Sequence, residues 1–337
     1  MLSKDNGMKL IAVFWLLLSS FLCSSALAGE SAVKSFVIPT AVTLPSKIAI
    51  DSNDTVWFIE SNFNKIGQFQ TVQGTFSEYD IPTTRSLPGD IAVSNQDKVW
   101  FTELDSNQLG VFDPETKSFE EYDIPTIDSY PYRVTTDKFG NVWFTEFYGN
   151  KIGSFDPRKK TFQEYSIPTD SSRPSGIATD PDGHIWFVET QGNNLGHLNP
   201  EDGSIREFTL PLPFEAAVGI VADGSGRLWI GGRKGRSLIM FDPANEKYQT
   251  YLMPNGGVSE TLAVNKDGKI VCTLRTSSKI AMFNPATGEF VEIPATLGKS
   301  KPDGIAVDSK SNIWFADKAK NTLFRLDGAM MQKLWTK

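Results

Sequence analysis

Carboxylates recur in this chain at a fixed interval. Glu60, Glu103, Glu146 and Glu189 stand 43 residues apart, each ending a Trp-Phe-x-Glu run, and Asp317 ends the related run Trp314-Phe315-Ala316-Asp317. Glu260 and Asp303 hold matching places in two neighbouring repeats. A carboxylate whose pKa is raised by burial can serve as a general base near neutral pH, and several together supply the oxygen ligands that hard cations take. Glu260 and Asp303 are therefore candidate catalytic groups. With Asp317 they are candidate ligands for Mg²⁺ or Ca²⁺. The alternative is a set of solvated rim charges. For the four repeated glutamates the repetition favours a structural task, such as accepting N–H bonds from the adjacent loop, over a ring that binds a cation.

Three repeats break that glutamate pattern with Gly232, Leu274 and Asp317, and the loops here carry Arg233, Lys234, Arg236 and Arg275 instead. Together with Tyr132, Arg133, Phe147 and Tyr148, these bases suit a polar ligand that also has an aromatic or apolar part. Tyr132, Arg133, Tyr148, Arg233 and Arg275 are the candidate ligand-binding residues, and the expected partner is a small molecule or peptide. Of the two histidines, His184 lies in a polar turn and His197 on a strand. Cys272, in Ile270-Val271-Cys272, reads as a buried apolar residue. No nucleophile elbow, P-loop, paired C-x-x-C or H-E-x-x-H motif occurs.

The elements that must position these groups are written in the repeat. Trp57-Phe58, Trp100-Phe101, Trp143-Phe144, Trp186-Phe187, Trp229-Ile230, Val271-Cys272 and Trp314-Phe315 follow one another at steps of 42 or 43 residues. Around each pair lie four short apolar or alternating runs separated by Gly, Pro, Asn and Asp, which reads as four antiparallel strands. Units of this length and content are propeller blades. The expected fold is all-β: a seven-bladed β-propeller of four-stranded antiparallel blades over 29–337. Ser35-Phe36-Val37-Ile38-Pro39-Thr40 matches an outer-strand ending without a blade of its own, so it is expected to complete the last blade; the tail Gln332-Lys333-Leu334-Trp335 competes for that edge. In such an order the loops into each inner strand and the loops between second and third strands meet at one tunnel mouth, where ligand sites gather.

Residues 1–28 have the form of a cleavable export signal: Lys4 and Lys9, an apolar run over Leu10–Leu22, and Ala26-Leu27-Ala28 as cleavage site. A periplasmic or secreted protein with no membrane span after cleavage is expected. The net charge is −7, and loss of Lys4, Lys9 and Asp5 would leave the remainder one unit more negative. That balance argues against nucleic acid as a partner. One remaining cysteine allows no internal disulfide, so the core must hold the chain together. A monomer is expected.

The W-F-T-E units, the Asn-Lys-Ile-Gly third strand, the Asp-Pro turn and the Glu-Tyr-x-Ile-Pro-Thr ending resemble the streptogramin B lyases, also called virginiamycin B lyases, over about residues 33–327. The resemblance implies a seven-bladed propeller that takes its first strand from the N-terminus. It also implies opening of a cyclic depsipeptide by elimination of its ester, with a histidine base and Mg²⁺. The family's histidine places fall on Glu260 and Asp303, a glutamate place on Lys301, and a carboxylate near the metal on Asp317. Because both histidines of this chain lie elsewhere, the expectation is an exported ligand-binding propeller of the lyase build without its catalytic histidines. The alternative is a metal-assisted lyase or a lactone hydrolase.

Overall fold

The computed structural model describes residues 33–211, 217–232, 236–255, 257, 259–296 and 298–334. They form seven four-stranded antiparallel sheets, each running from an inner strand on the tunnel to an outer strand. Blade one shows the plan: Pro45–Ile50, Val56–Glu60, Lys65–Gln70 and Thr75–Asp80. In every blade the inner strand slips register just after its first residue. A bulge of this kind bends a strand and re-aims its side chains.

Each repeated residue has a structural cause. Trp57 of blade one packs against Ile91, Val99, Phe101 and Phe112 of blade two, so the tryptophan is the glue between blades. Its indole N–H, which burial would otherwise orphan, donates to Asp51 in the first turn at 2.9 Å, and the same pairing recurs at Trp143, Trp186, Trp229 and Trp314. The glycine of the third strand makes room for the phenylalanine. A Cβ on Gly153 would lie 2.2 Å from the Phe144 ring.

The polar repeats join the blades. Asn107 Oδ1 accepts from the N–H and hydroxyl of Ser129, both at 2.8 Å, while its amide donates to the carbonyls of Ile124 and Thr126. Glu121 accepts from the N–H and hydroxyl of Thr83, both at 3.0 Å. These bonds fasten the loop that runs from one blade into the next.

The ring closes as the N-terminal sequence suggests. Val33–Val37 pairs antiparallel with Thr322–Leu326 to complete blade seven. The tail does not take that edge as far as Leu334, and Trp335 lies outside the described residues. Asp327 accepts from Met330 N–H and starts a short helix, Gly328–Lys333, with Met331 packed into the blade-seven core. Among the described residues no helix is long and apolar enough to cross a membrane.

Candidate ligand site at the tunnel mouth

Charged side chains cross the tunnel just inside its mouth, on the bulged starts of the inner strands. Lys47 of blade one reaches Asp303 of blade seven at 2.5 Å and Thr261 of blade six at 3.3 Å. Lys318, in the loop after the second strand of blade seven, holds the other Asp303 oxygen at 2.5 Å. Arg133 of blade three pairs with Asp90 of blade two at 3.3 Å and lies over the Tyr132 ring. Burial alone would raise the pKa of Asp303, but the two lysines outweigh it and hold the carboxyl well below the usual range. Burial and the nearby Arg133 depress the Lys47 ammonium despite its partner. A carboxylate so stabilised as an anion is a weak proton acceptor.

Asp317 is fully buried, and its oxygens are spent on the fold. Oδ1 accepts from the N–H groups of Lys301, Ala319 and Lys320, and Oδ2 from the Ser300 hydroxyl. Glu260 lies instead in an open cleft between blades six and seven, 3.9 Å from Arg275. Among the described residues no three His, Cys, Asp or Glu side chains gather as a metal site. With Asp303 committed to lysines and Asp317 to N–H groups, the three acids as placed do not fit a resident divalent cation.

The repeated glutamates differ from the expected acceptors of loop N–H bonds, a task that Asp317 performs in their stead. Glu60, Glu103, Glu146 and Glu189 are all fully buried. Both carboxyl oxygens of Glu60 and Glu146, and one each of Glu103 and Glu189, have no hydrogen-bond partner among the described residues. Burial, followed by a nearby outer-strand glutamate, pushes their pKa values up to about 7 for Glu60 and Glu103 and about 8 for Glu146 and Glu189. Burial under the mouth loops thus favours their protonated form relative to an ordinary carboxyl.

On the blade-three side of the mouth, Tyr130, Tyr132, Phe147 and Tyr148 form a continuous aromatic cluster with ring centroids 4.9 to 6.2 Å apart. Arg173 lies over Phe147 and Tyr148. Tyr148 is 61% exposed, so the cluster presents a face to solvent, whereas Arg133 is buried beneath it. Across the mouth, Arg275, Lys299, Lys301 and Glu260 line the cleft between blades six and seven, which encloses about 760 Å³. Arg233 and Lys234 lie outside the described residues.

Both histidines sit at the other end of the molecule. His184 lies in the first turn of blade four, its Nδ1 3.3 Å from Asp180, and His197 stacks on Trp186 at 4.3 Å. Burial and His184 lower the pKa of His197. Cys272 is buried, and burial pushes its thiol up to about 11, too high for a thiolate at neutral pH.

Sequence reasoning missed Lys47, Asp90, Tyr130, Arg173, Lys299 and Lys318. A signal for two of them existed. Lys47, Asp90 and Arg133 each stand two places after the proline that opens an inner strand, where other blades have Gly176 or Gly219.

A sequence profile described as the virginiamycin B lyase family matches residues 14–239 and 119–332. Among solved structures, selenomethionine-substituted virginiamycin B lyase from Staphylococcus aureus is similar at 26% identity and a TM-score of 0.82, over 87% of this chain and 98% of that one. A catalytically inactive histidine-to-alanine variant of that enzyme with quinupristin gives 26% and 0.81 over the same shares. A streptogramin B lyase gives 26% and 0.82, over 87% of this chain and 96% of its own. No curated protein sequence matches the chain.

Proposed function

The chain belongs to the virginiamycin B lyase family, and we propose that it is an exported binding propeller that takes a small molecule or peptide at its tunnel mouth without the histidine-based elimination of its relatives. The observation that carries this is the state of Asp303. It stands where the resemblance places a catalytic histidine, and it is clamped between Lys47 and Lys318 as a stable anion. A base must be able to accept a proton in the transition state, and this one is held against doing so. The other histidine place, Glu260, opens on a cleft beside Arg275, while His184 and His197 lie at the opposite end. Lys4, Lys9, the apolar run and Ala26-Leu27-Ala28 support export; they lie outside the described residues.

The test is incubation of the purified chain, from residue 29, with quinupristin and Mg²⁺, followed by chromatography and mass spectrometry. Elimination opens the ring at unchanged mass, and hydrolysis opens it with the gain of one water. Intact quinupristin is the expected result. Ring opening by either route would overturn the proposal in favour of the competing reading, a metal-assisted lyase or lactone hydrolase, which family membership alone supports.

A further inference from the structure

At each junction between blades three loop positions correspond in sequence: the first residue after the second strand of one blade, and the residues three places and one place before the inner strand of the next. Between blades six and seven they are Arg275, Lys299 and Lys301, three cations. At every other junction the set holds one cation at most. Arg85, Arg173, Arg233 and Lys318 supply one each at four junctions, and the remaining two have none. A joint between blades therefore needs no basic residue at these places, and the three charges before blade seven are not a demand of the fold.

All three line one cleft of about 760 Å³, a volume typical of a small-molecule site, together with Thr276 and a single acid, Glu260. Lys299 and Lys301 are exposed and make no ion pair with another described residue, and the contact of Arg275 to Glu260 is loose at 3.9 Å. The neighbouring acids do not offset these cations. Asp303 is paired with Lys47 and Lys318, and Asp317 is buried under hydrogen bonds from Ser300 and three backbone N–H groups. A chain of net charge −7 thus keeps a cleft with three cations against one acid, which concentrates anions there. Lys301 also stands where the resemblance places a glutamate, a reversal of charge that disfavours a metal cation.

We propose that the cleft between blades six and seven binds a small oxyanion carrying two or more negative charges, a phosphate ester or a polycarboxylate, through Arg275, Lys299 and Lys301. This rests on the mouth-binding reading above and names the ligand class for it. Phosphate and carboxylate oxygens pair with guanidinium in a forked geometry and with ammonium as a point charge. One exposed ion pair contributes little, so retention in an open cleft takes several contacts at once and hence more than one negative charge.

Inorganic phosphate, citrate and, as a monoanion, acetate are titrated calorimetrically into the chain from residue 29 at about 0.1 M salt, where charges beyond about 10 Å are screened. Phosphate or citrate is expected to bind at one site per chain, at least about tenfold tighter than acetate. Tighter phosphate would point to phosphate esters, and tighter citrate to polycarboxylates. The double variant Lys299→Glu/Lys301→Glu changes two exposed side chains, and its circular dichroism should match the parent. It is expected to weaken the preferred anion at least about tenfold, and Arg275→Gln should weaken it as well. Lys159→Glu/Lys160→Glu makes the same change of charge in an exposed turn at the other end of blade three and should leave that affinity within about twofold. Acetate binding as tightly as the other two, binding of neither phosphate nor citrate, or equal affinities in the two double variants would each overturn the inference. None of these outcomes touches the mouth-binding reading, which falls only if quinupristin is opened.

Discussion

Asn321 Oδ1 accepts hydrogen bonds from both the backbone N–H and the hydroxyl of Thr43, at 2.7 and 2.8 Å, across 278 residues of sequence. The same bonds join Asn107 to Ser129 between blades two and three. The joint that closes the ring is therefore chemically one more internal joint. Asn321→Ala removes it and leaves buried donors unpaired, at a cost of about 2–4 kcal/mol for a set of bonds each worth about 1 kcal/mol or slightly more. Urea unfolding measures this. A change within experimental error would mean that the pairing of Val33–Val37 with Thr322–Leu326 suffices for closure.

Asp303 should matter to stability through its two lysines. Asp303→Ala leaves Lys47 buried without its counter-charge, and breaking a buried pair in this way costs about 3–5 kcal/mol. The pH dependence has a definite sign. A carboxyl whose folded pKa is depressed contributes stability at neutral pH, and that contribution is lost as pH falls below about 4 toward the folded value. Asp303→Asn should be less stable at pH 7 and should lose less than the parent between pH 5 and pH 3. Thermal unfolding across that range decides it, and parallel curves would sink the idea.

The buried glutamates have the opposite sign. Glu60, Glu103, Glu146 and Glu189 hold their protons in the folded chain up to about pH 7 or 8, while the unfolded chain loses them near the ordinary carboxyl value. The folded state binds more protons between those limits, so stability falls as pH rises from about 5 to 8 and levels off above. The facing groups modulate this. Glu78 and Asp80 raise and Lys65 lowers the pKa of Glu60; Glu121 raises that of Glu103 against Ser86 and Ser106; Glu164 raises and Lys151 lowers that of Glu146; Glu207 raises that of Glu189 against Asn194. Replacing all four by glutamine should flatten the slope of melting temperature against pH. An unchanged slope would place the titration elsewhere.

The fold was legible because its grammar is local and repeated. Trp-Phe pairs at a step of 43 residues give the blades, and Ile38-Pro39-Thr40 gives away the outer strand that begins the chain. The roles of the polar repeats were less legible, since Asn107 and Glu121 act on the loops between blades and not within their own unit. The site was least legible. Lys47 meets Asp303 at a separation of 256 residues, and no periodicity announces that a lysine in the first blade will neutralise an acid in the last. Arg133 shows the same limit: its type suggested a ligand contact, and the bulge of its strand turns it to Asp90 inside the tunnel.

One packing rule can be read within the chain and tested. In blade three Phe144 pairs in register with Gly153; in blade six the matching pair is Cys272 and Ala281, and in blade five Ile230 and Ile239. Where the second-strand side chain is smaller, the third-strand residue has grown to fill the space; blade seven departs from this, since Phe315 faces Phe324 and the two rings stack. Gly153→Ala alone should therefore cost about 1–3 kcal/mol, the usual penalty for overpacking, because its Cβ would meet the Phe144 ring at 2.2 Å. Phe144→Leu alone leaves a cavity and should cost a similar amount. Combined, the two changes restore a pair of the blade-six kind, and the double variant should be more stable than the sum of the single losses requires by about 1 kcal/mol or more. Denaturant unfolding of the four proteins measures that coupling, and strict additivity would show that the glycine answers to something other than the ring it faces.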